Sequence, residues 1–241
     1  MNAEAKAVPA GHIEAPSSLR MIATLGLVAM SSGFLIVSVY QLTKERIAHN
    51  ERRALEKAIF EVLPDAVDRA SFAVEENGFR RLEADEPFVE TVYAGYGDNG
   101  ALVGVAIEAK GQGYQDVIRV LYGYSPSKQC LTGMKVLQCT DTPGLGDRIR
   151  EPEFRANFEG LDVRLTEDGA RLLHEIETVK GGGKAKAGST DGVSQATPDW
   201  RIDGVSGATI SSRAVGDMVN ASAQRMLPLI VAHLDQLKAK T

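Results

Sequence analysis

The segment DGVSGATISSRAV, residues 203–215, surrounds one threonine with small residues and then passes into a helical pattern. Its glycines allow the backbone to approach a ligand closely. Thr209 stands just before a helix that we expect to begin near Ser211, and the unpaired amides of a helix N-terminus attract anions. Two interpretations stay open: a phosphate held at the Thr209 hydroxyl, or an ordinary helix cap, where threonine is also preferred.

Apolar residues recur at helical spacing after this segment, from Val215 to Leu237, and predict a long C-terminal helix. Pro228 should kink or divide that helix, because proline lacks the amide that a helix interior needs. A short helix is expected over residues 151–158, and residues 181–198 have the composition of a flexible loop.

The region from about Ser71 to Cys139 has the composition and alternation typical of strands. Turn residues separate four runs in it: FVETVYAGY at residues 88–96, ALVGVAIEA at 101–109, VIRVLYGYS at 117–125 and LTGMKVLQC at 131–139. Strands that follow one another through short turns predict antiparallel hairpins.

Residues 21–43 contain no charged side chain and are long enough to cross a bilayer, which takes about 20 helical residues. A cleaved signal peptide is the alternative, but this run is longer than a signal's apolar core and no A-x-A site follows it. We expect the membrane helix to continue outward until Pro64 stops it. The predicted division is a disordered tail over residues 1–18, a transmembrane helix over 19–43, a helical stalk over 44–70 and a folded domain over 71–241.

Positive charges on the two sides of this span bear on its orientation. Two basic residues precede the span and four follow it closely: Lys6 and Arg20, then Lys44, Arg46, Arg52 and Arg53. The positive-inside rule, read literally, predicts that the large domain lies in the cytoplasm.

Composition argues against several classes of function. A net charge of −5 is the wrong sign for a nucleic-acid-binding protein. The four histidines are scattered, and two cysteines cannot form a four-thiolate metal site. Cys130 and Cys139 bracket one predicted strand that would hold them about 30 Å apart, whereas a disulfide needs Cα atoms within about 7 Å. We therefore expect two free, mostly buried thiols.

Two short motifs match known signatures but lack the context that these signatures need. GYGDNG, residues 95–100, fits G-x-G-x-x-G, yet a strand-like run follows it where a dinucleotide site needs a helix, and Asp-Asn-Gly indicates a hairpin turn. GVSGA, residues 204–208, departs from the G-x-S-x-G elbow of hydrolases at Ala208, and His233 is the one later histidine. We favour neither function.

A second glycine-rich segment, DTPGLGDRI at residues 141–149, follows the last predicted strand. A Pro-Gly turn and a further glycine make a tight loop with exposed backbone amides, which can bind an anion. Read alone, the same residues also fit a plain connector between a strand and a helix.

The membrane anchor, TPGLG at residues 142–146 and SGAT at residues 206–209, in that order, resemble the FMN-binding domain family. The pattern over residues 20–235 is similar to the G subunits of the Rnf complex, a membrane-bound, ion-translocating ferredoxin:NAD oxidoreductase. The C subunits of the sodium-pumping NADH:quinone reductase are related to these. SGAT preceded by Asp-Gly is specific for flavin attachment, whereas TPGLG alone is moderately specific.

The resemblance implies a transmembrane helix followed by an α+β FMN-binding domain with an antiparallel sheet and flanking helices. It implies FMN held by a phosphoester to Thr209, attached by a separate flavin transferase that uses FAD and Mg²⁺. Asp203 would then serve recognition by the transferase, and Lys180 is a candidate flavin contact or a solvated loop lysine. The implied cofactor-binding residues are Asp203, Ser206, Gly207, Ala208, Thr209, Thr142, Gly144, Leu145 and Gly146.

This chain departs from the family pattern at three positions, one of which, Ser211 for the usual Thr, should not affect Thr209. Asp141 stands where the family usually has Glu, which puts a hydrogen bond from this side chain to the flavin in doubt. Tyr114 is followed by Gln115 instead of Gly.

The resemblance also implies a place for the protein in the cell. The implied partners are the other members of an inner-membrane complex, and the implied location of the domain is the periplasm, against the charge count. Membership of the quinone reductase, a non-redox anchored scaffold and a serine hydrolase with Ser206 as nucleophile remain alternatives.

Overall fold

The computed structural model describes residues 17–83, 89–180 and 200–238. The disordered tail expected over residues 1–18 lies outside these ranges except for its last two residues, and the loop expected over residues 181–198 lies wholly outside them. The chain divides into two compact units, residues 1–52 and residues 53–241.

Helix α1 runs over Ser18–Val62, and the large apolar side chains of residues 21–43 are exposed along it. Within the described ranges, α1 alone is long and apolar enough to cross a membrane. Helix α1 ends just before Pro64, which confirms that this proline stops it, because proline disfavours helical backbone in the preceding residue and supplies no amide. Residues 68–70, the last of the stalk expected over residues 44–70, belong instead to the first strand, Asp68–Glu75.

The second unit is built on a six-stranded antiparallel sheet with the order β2-β1-β3-β4-β5-β6. The strands are β1 Asp68–Glu75, β2 Gly78–Leu82, β3 Thr91–Tyr96, β4 Leu102–Gln112, β5 Val117–Ser125 and β6 Cys130–Gln138. The four predicted runs are confirmed as β3 to β6, and the hairpins that join them are confirmed as well.

The two faces of this sheet support two different cores. On β4, Val105 and Ile107 belong to the larger core, and Ala106 between them belongs to the smaller one, as the two-residue period of a strand requires. Helix α3, Thr209–Ala232, covers the larger core. The buried C-terminal end of α1, including Ile59, packs with the smaller core.

Short elements connect the sheet to α3. They are the 3₁₀ helix η1 Gly146–Arg150, α2 Pro152–Arg155, the 3₁₀ helix η2 Ala156–Phe158, β7 Glu177–Lys180 and β8 Arg201–Gly204. The short helix expected over residues 151–158 is confirmed as α2 and η2. Strands β7 and β8 pair in parallel as a separate two-stranded sheet, and β8 leads directly into the segment around Thr209.

Helix α3 continues through Pro228, so this residue does not divide the helix, and the alternative, a kink, stays a prediction. The missing amide removes one hydrogen bond, while Leu227 and Ile230 on either side are fully buried and hold the helix in place. The helical chain breaks at His233 instead, and α4 follows over Leu234–Lys238.

Cys130 and Cys139 lie at opposite ends of β6 as free, half-buried thiols, which confirms that they form no disulfide. Burial raises the pKa of both thiols. Both are therefore weak nucleophiles at neutral pH.

Four glycines on neighbouring strands make room for the end of α1, and we call them the glycine groove: Gly95, Gly104, Gly123 and Gly133. A Cβ on Gly123 would overlap the carbonyl oxygen of Val62, and one on Gly104 would lie 2.7 Å from Leu63 Cδ2. The Thr132 hydroxyl donates a short hydrogen bond to the same Val62 oxygen. The groove therefore lets helix backbone lie directly on the sheet.

Candidate functional site

The TPGLG loop, residues 142–146, and the SGAT turn, residues 206–209, border one cavity of about 310 Å³, which we call the TPGLG cavity. Its walls are Tyr114, Thr142, Leu145, Gly146, Gly207, Ala208, Thr209, Ile210 and Ser211. Three of these residues, Tyr114, Leu145 and Ile210, expose large side chains with apolar faces. Folding thus brings together two motifs that are far apart in the sequence.

The TPGLG loop is a compact turn closed by its own hydrogen bonds. The Leu145 amide donates to the Thr142 carbonyl at 3.1 Å, and the Gly144 amide donates to Asp147 Oδ1 at 2.7 Å. Gly144 has φ +77°, a conformation that favours glycine. This turn leaves Leu145 half exposed at the mouth of the cavity.

The SGAT turn delivers the chain into α3. The Ala208 amide donates to the Val205 carbonyl at 3.0 Å, and Gly207 at the third position has φ +87°, as in a type II turn. The Val205 amide in turn donates to Ser212 Oγ at 3.1 Å. A side chain from inside the first turn of α3 thereby fixes the turn that precedes it.

Thr209 is the first residue of α3, two positions earlier than the predicted start. The capping position belongs to Ala208, so the interpretation of Thr209 as an ordinary helix cap is wrong. Thr209 is exposed, and its hydroxyl makes no hydrogen bond to any residue that the structure describes. The hydroxyl is therefore free to contact a ligand at a helix N-terminus, where the first amides lack intrahelical acceptors.

Asp141 is almost fully buried and contacts two wall residues of the TPGLG cavity, Gly146 and Ser211, as well as the backbone next to Tyr114. Its Oδ1 accepts from the Gln115 amide at 3.0 Å, and its Oδ2 accepts from the Ser211 hydroxyl at 2.5 Å. A Cβ on Gly146 would lie 2.6 Å from Asp141, so glycine is needed there for space. Both carboxylate oxygens serve the protein itself, which explains how a shorter acid is used at this position.

Arg148 ties the TPGLG loop region to the SGAT turn. From η1, its Nη1 donates to the Ser206 carbonyl oxygen at 2.7 Å, while Glu151 accepts from its other nitrogens. The hydrogen bond with Glu151 raises the pKa of Arg148. Sequence reasoning missed this residue, because no local pattern links position 148 to position 206.

A second cavity, of about 260 Å³, lies on another side of Thr209, and we call it the Arg213 cavity. Its walls are Thr178, Val179, Gly204, Val205, Ser206, Thr209 and Arg213. Thr209 lines both cavities and connects them.

The predicted site residues fall into three groups. Thr142, Leu145, Gly146, Gly207, Ala208 and Thr209 line the TPGLG cavity, whereas Ser206 lines the Arg213 cavity. Gly144 lines neither and shapes its turn. Tyr114, Ile210, Ser211 and Arg213 were not predicted as contacts; the helical period after Thr209 could have indicated Arg213, which lies one turn further on.

Two other predicted contacts, Asp203 and Lys180, lie on the strands that lead to the site. Asp203 lies on β8, where Asn157 binds both its amide and its carbonyl, at 3.1 and 3.3 Å. Lys180 ends β7 and pairs with Gly204 in the register of the strands. A role in transferase recognition for Asp203 and a flavin contact for Lys180 stay predictions.

The two excluded motifs adopt structures that lack the expected active-site geometry. GYGDNG forms the end of β3 and the turn into β4, which confirms a hairpin. Ser206 precedes α3 while His233 follows it, and a helix of 24 residues is about 36 Å long. A hydrolase triad between these two residues is therefore excluded.

Comparison with known families gives two matches in this chain. The FMN-binding domain matches residues 113–224, and the RnfG N-terminal region matches residues 17–62. The first match contains every wall residue of both cavities, and the second spans the whole of α1.

Curated relatives share one name, which describes the G subunit of an ion-translocating oxidoreductase complex. The protein of Methanosarcina acetivorans is 28% identical over 203 residues, which cover 84% of this chain and 91% of that protein. The protein of Aliivibrio fischeri strain MJ11 is 30% identical over 152 residues, which cover 60% of this chain and 70% of that protein.

Two solved structures share the fold. NqrC of Shewanella oneidensis superposes with a TM-score of 0.59 at 18% identity, over 80% of this chain and all of that one. The C subunit of the Na⁺-translocating NADH-quinone reductase of Parabacteroides distasonis gives a TM-score of 0.54 at 20% identity, over 81% and 98% of the two chains. The α+β fold with flanking helices is confirmed.

Proposed function

The chain belongs to the family of G subunits of ion-translocating oxidoreductase complexes, and on this premise we propose that it transfers electrons through an FMN bound covalently at Thr209. It is a redox component of a membrane complex of the Rnf type, anchored by α1. One observation carries the proposal of attachment: the hydroxyl of exposed Thr209 has no hydrogen bond to any described residue, and Thr209 lines both cavities.

The residues around Thr209 fit an FMN. The apolar side chains of Leu145 and Ile210 and the ring of Tyr114 suit a flat aromatic ring system, and the start of α3 suits a phosphate. When bound, the flavin supplies reversible electron transfer, while this chain binds it, orients it and limits its contact with water.

The attachment is a phosphoryl transfer from FAD by a separate flavin transferase with Mg²⁺. The Thr209 oxygen attacks the phosphorus of the FMN half, the bond to the phosphate of AMP breaks, and AMP leaves with the hydroxyl proton. The product is a phosphodiester between Thr209 and riboflavin, with no change in oxidation state. The lack of a hydrogen bond to the Thr209 hydroxyl leaves it accessible for this step.

Two observations favour the Rnf complex over the sodium-pumping quinone reductase. The N-terminal match is specific to RnfG, and the curated relatives bear the name of the ion-translocating complex, whereas the two quinone-reductase structures support the fold alone. The partners would accordingly be neighbouring Rnf proteins, which exchange electrons with this flavin.

We place the large domain on the periplasmic side of a bacterial inner membrane. The basic residues Lys44, Arg46, Arg52 and Arg53 after the span argue for the opposite side. Large domains, however, translocate largely regardless of such charges. Alkaline phosphatase fused after residue 241 should be active, because this reporter folds only in the periplasm; an inactive, stable fusion would reverse the orientation.

The decisive measurement is the intact mass and peptide map of the chain from a host with the flavin transferase. We expect about 438 Da, one FMN less one water, on the peptide that contains Thr209. Thr209→Ala should abolish the addition, and the matched variant Ser206→Ala should retain it. An unmodified wild-type peptide from that host would refute covalent attachment, and colourless protein would favour a non-redox scaffold.

A further inference from the structure

The two cavities at Thr209 differ in the charge they offer. Among the described residues, the walls of the TPGLG cavity include no charged side chain, whereas those of the Arg213 cavity include one cation, Arg213, and no acid. An FMN likewise has one apolar end, the ring system, and one anionic end, the phosphate. The division between the cavities therefore matches the division within the cofactor.

Arg213 stands one helical turn after Thr209 on α3, so the two side chains share a face of the helix. Among the residues that the structure describes, Arg213 has no ion pair or hydrogen bond. Other arginines of this domain are paired: Arg148 with Glu151 and Arg201 with Glu177. Arg213, unlike Arg148, which contacts the SGAT turn, is thus left available for an anion from outside the chain.

A second polar group beside the same cavity also has no partner. The Thr178 hydroxyl oxygen is buried without a hydrogen bond to any part of the chain that the structure describes. It packs against α3 at Gly216, where an added Cβ would overlap it. The Thr178 methyl group, and not this hydroxyl, lies toward the wall residue Gly204, so the hydroxyl is an unpaired polar group beside the cavity and not a ligand contact in it.

We propose that Arg213 binds the phosphate of the flavin nucleotide at Thr209, with the phosphate facing the Arg213 cavity and the ring system in the TPGLG cavity. The covalent bond between the phosphate and Thr209 belongs to the proposed function, on which this inference rests. The noncovalent binding of FMN does not depend on that bond. Arginine suits this task because its guanidinium donates two parallel hydrogen bonds to phosphate oxygens.

Riboflavin and FMN differ by the phosphate alone, so their affinities isolate its contribution. The full chain, made without the flavin transferase and purified in detergent, is titrated with each flavin, and quenching of flavin fluorescence gives Kd. We expect FMN to bind roughly tenfold more tightly than riboflavin, as a charge-assisted contact would give. Arg213→Gln should bring this ratio close to one without changing the affinity for riboflavin.

Two further variants separate a phosphate contact from a general disturbance of the fold. Arg213→Lys keeps the positive charge and should keep most of the preference for FMN. Arg201→Gln removes a paired arginine on the neighbouring strand β8 and should leave the ratio unchanged. A ratio that survives in Arg213→Gln, or a loss of affinity for both flavins alike, would overturn the proposal.

A time course of adduct formation with transferase and FAD covers the case in which the unmodified chain binds neither flavin measurably. We then expect the mass addition to form at least severalfold more slowly in Arg213→Gln than in Arg201→Gln. Equal rates would overturn the role of Arg213 while leaving the adduct at Thr209 intact. Absence of any adduct in the wild type would instead refute the proposed function, so the two failures are distinct.

Discussion

The glycine groove and the pair of glycine-rich turns at Thr209 use the same residue for different physical reasons. In the groove, Gly123 lies in strand β5, and a Cβ there would overlap the backbone of α1. In the turns, Gly144 and Gly207 have φ +77° and +87°, and a Cβ on either would meet nothing closer than 3.9 Å. In the groove, glycine is needed because a larger residue has no space. In the turns, glycine is favoured because the backbone has a positive φ.

This difference teaches where mutations should reduce stability and where they should reduce function. A contact between a new Cβ and main-chain atoms forces a helix away from the sheet, because neither backbone can yield locally. A strained turn at the surface can instead relax toward another conformation at a smaller cost. The groove should therefore tolerate less change than the site does.

Gly123→Ala should have the largest effect. The new Cβ would overlap both the Val62 carbonyl oxygen and the Thr132 hydroxyl, and we expect a loss of about 3 kcal/mol in the free energy of unfolding. Urea unfolding of the full chain in detergent, followed by the fluorescence of its single tryptophan, Trp200, measures this loss.

Gly133→Ala is the matched control within the same groove. Its Cβ would lie 3.8 Å from Val62 Cα, an ordinary contact, so we expect a change within about 0.5 kcal/mol of wild type. Equal losses at positions 123 and 133 would show that space does not decide the tolerance of the groove.

Gly146→Ala tests a glycine that belongs to the site but resembles the groove. Its φ is not positive, and its Cβ would lie 2.6 Å from the buried side chain of Asp141. Displacing Asp141 breaks its hydrogen bonds to Gln115 and Ser211, and we expect a loss of about 2 kcal/mol together with a reduced yield of the FMN adduct. Unfolding and intact mass on the same preparation measure both.

Two outcomes for Gly146→Ala would change the comparison between the glycine groove and the turns at Thr209. If Gly146→Ala keeps wild-type stability, Asp141 is not a fixed point under the cavity. If stability falls while the adduct forms fully, Asp141 supports the fold and not the attachment site.

The local sequence was sufficient for four of the six strands of the sheet and for singling out Thr209, whereas β1 and β2 were not among the predicted runs. Strands β3 to β6 carry β-rich runs separated by turn residues, so their existence follows from the chain itself. The motif SGAT likewise identifies its threonine by resemblance to a family. Both signals lie within short stretches of sequence.

Long-range contacts explain what the sequence could not predict. Arg148 reaches the Ser206 carbonyl across 58 positions, and Asp141 reaches Ser211 across 70, without any pattern that links them. The continuation of α3 through Pro228 is also a tertiary effect, since buried neighbours outweigh one missing hydrogen bond. The end of α1, in contrast, follows from the local sequence, because Pro64 stops the helix as predicted.

Gly207→Ala should have a smaller effect on stability than either preceding change. Alanine at φ +87° costs about 1 kcal/mol, and no neighbour opposes the added methyl group. Gly207→Asn should cost less, because asparagine adopts positive φ more readily. Urea unfolding should rank the three proteins as Gly, Asn and Ala; a larger loss for Asn than for Ala would indicate that space also matters in this turn.

Glu90→Gln should have the smallest effect, because it removes an exposed ion pair that lies in neither glycine region. Glu90 directly precedes β3, and its Oε2 accepts a hydrogen bond from Arg225 on α3 at 2.8 Å. This hydrogen bond holds the pKa of Glu90 below its usual value. Both side chains are about half exposed, at 58% and 45%, so solvent screens the pair and we expect a loss of about 0.5 kcal/mol at pH 7.

The pH dependence of this variant follows from the direction of the pKa shift. A carboxyl with a lowered pKa in the folded state stabilises the protein above its unfolded pKa, about 4.3, and loses that contribution as the pH falls through the folded value. Thermal unfolding followed by circular dichroism should therefore show wild type and Glu90→Gln converging below about pH 4. A constant difference across this range would mean that packing, and not charge, joins α3 to β3 here. A larger loss in the free energy of unfolding than that of Gly207→Ala would show that this ion pair stabilises α3 more than the turn before Thr209 does.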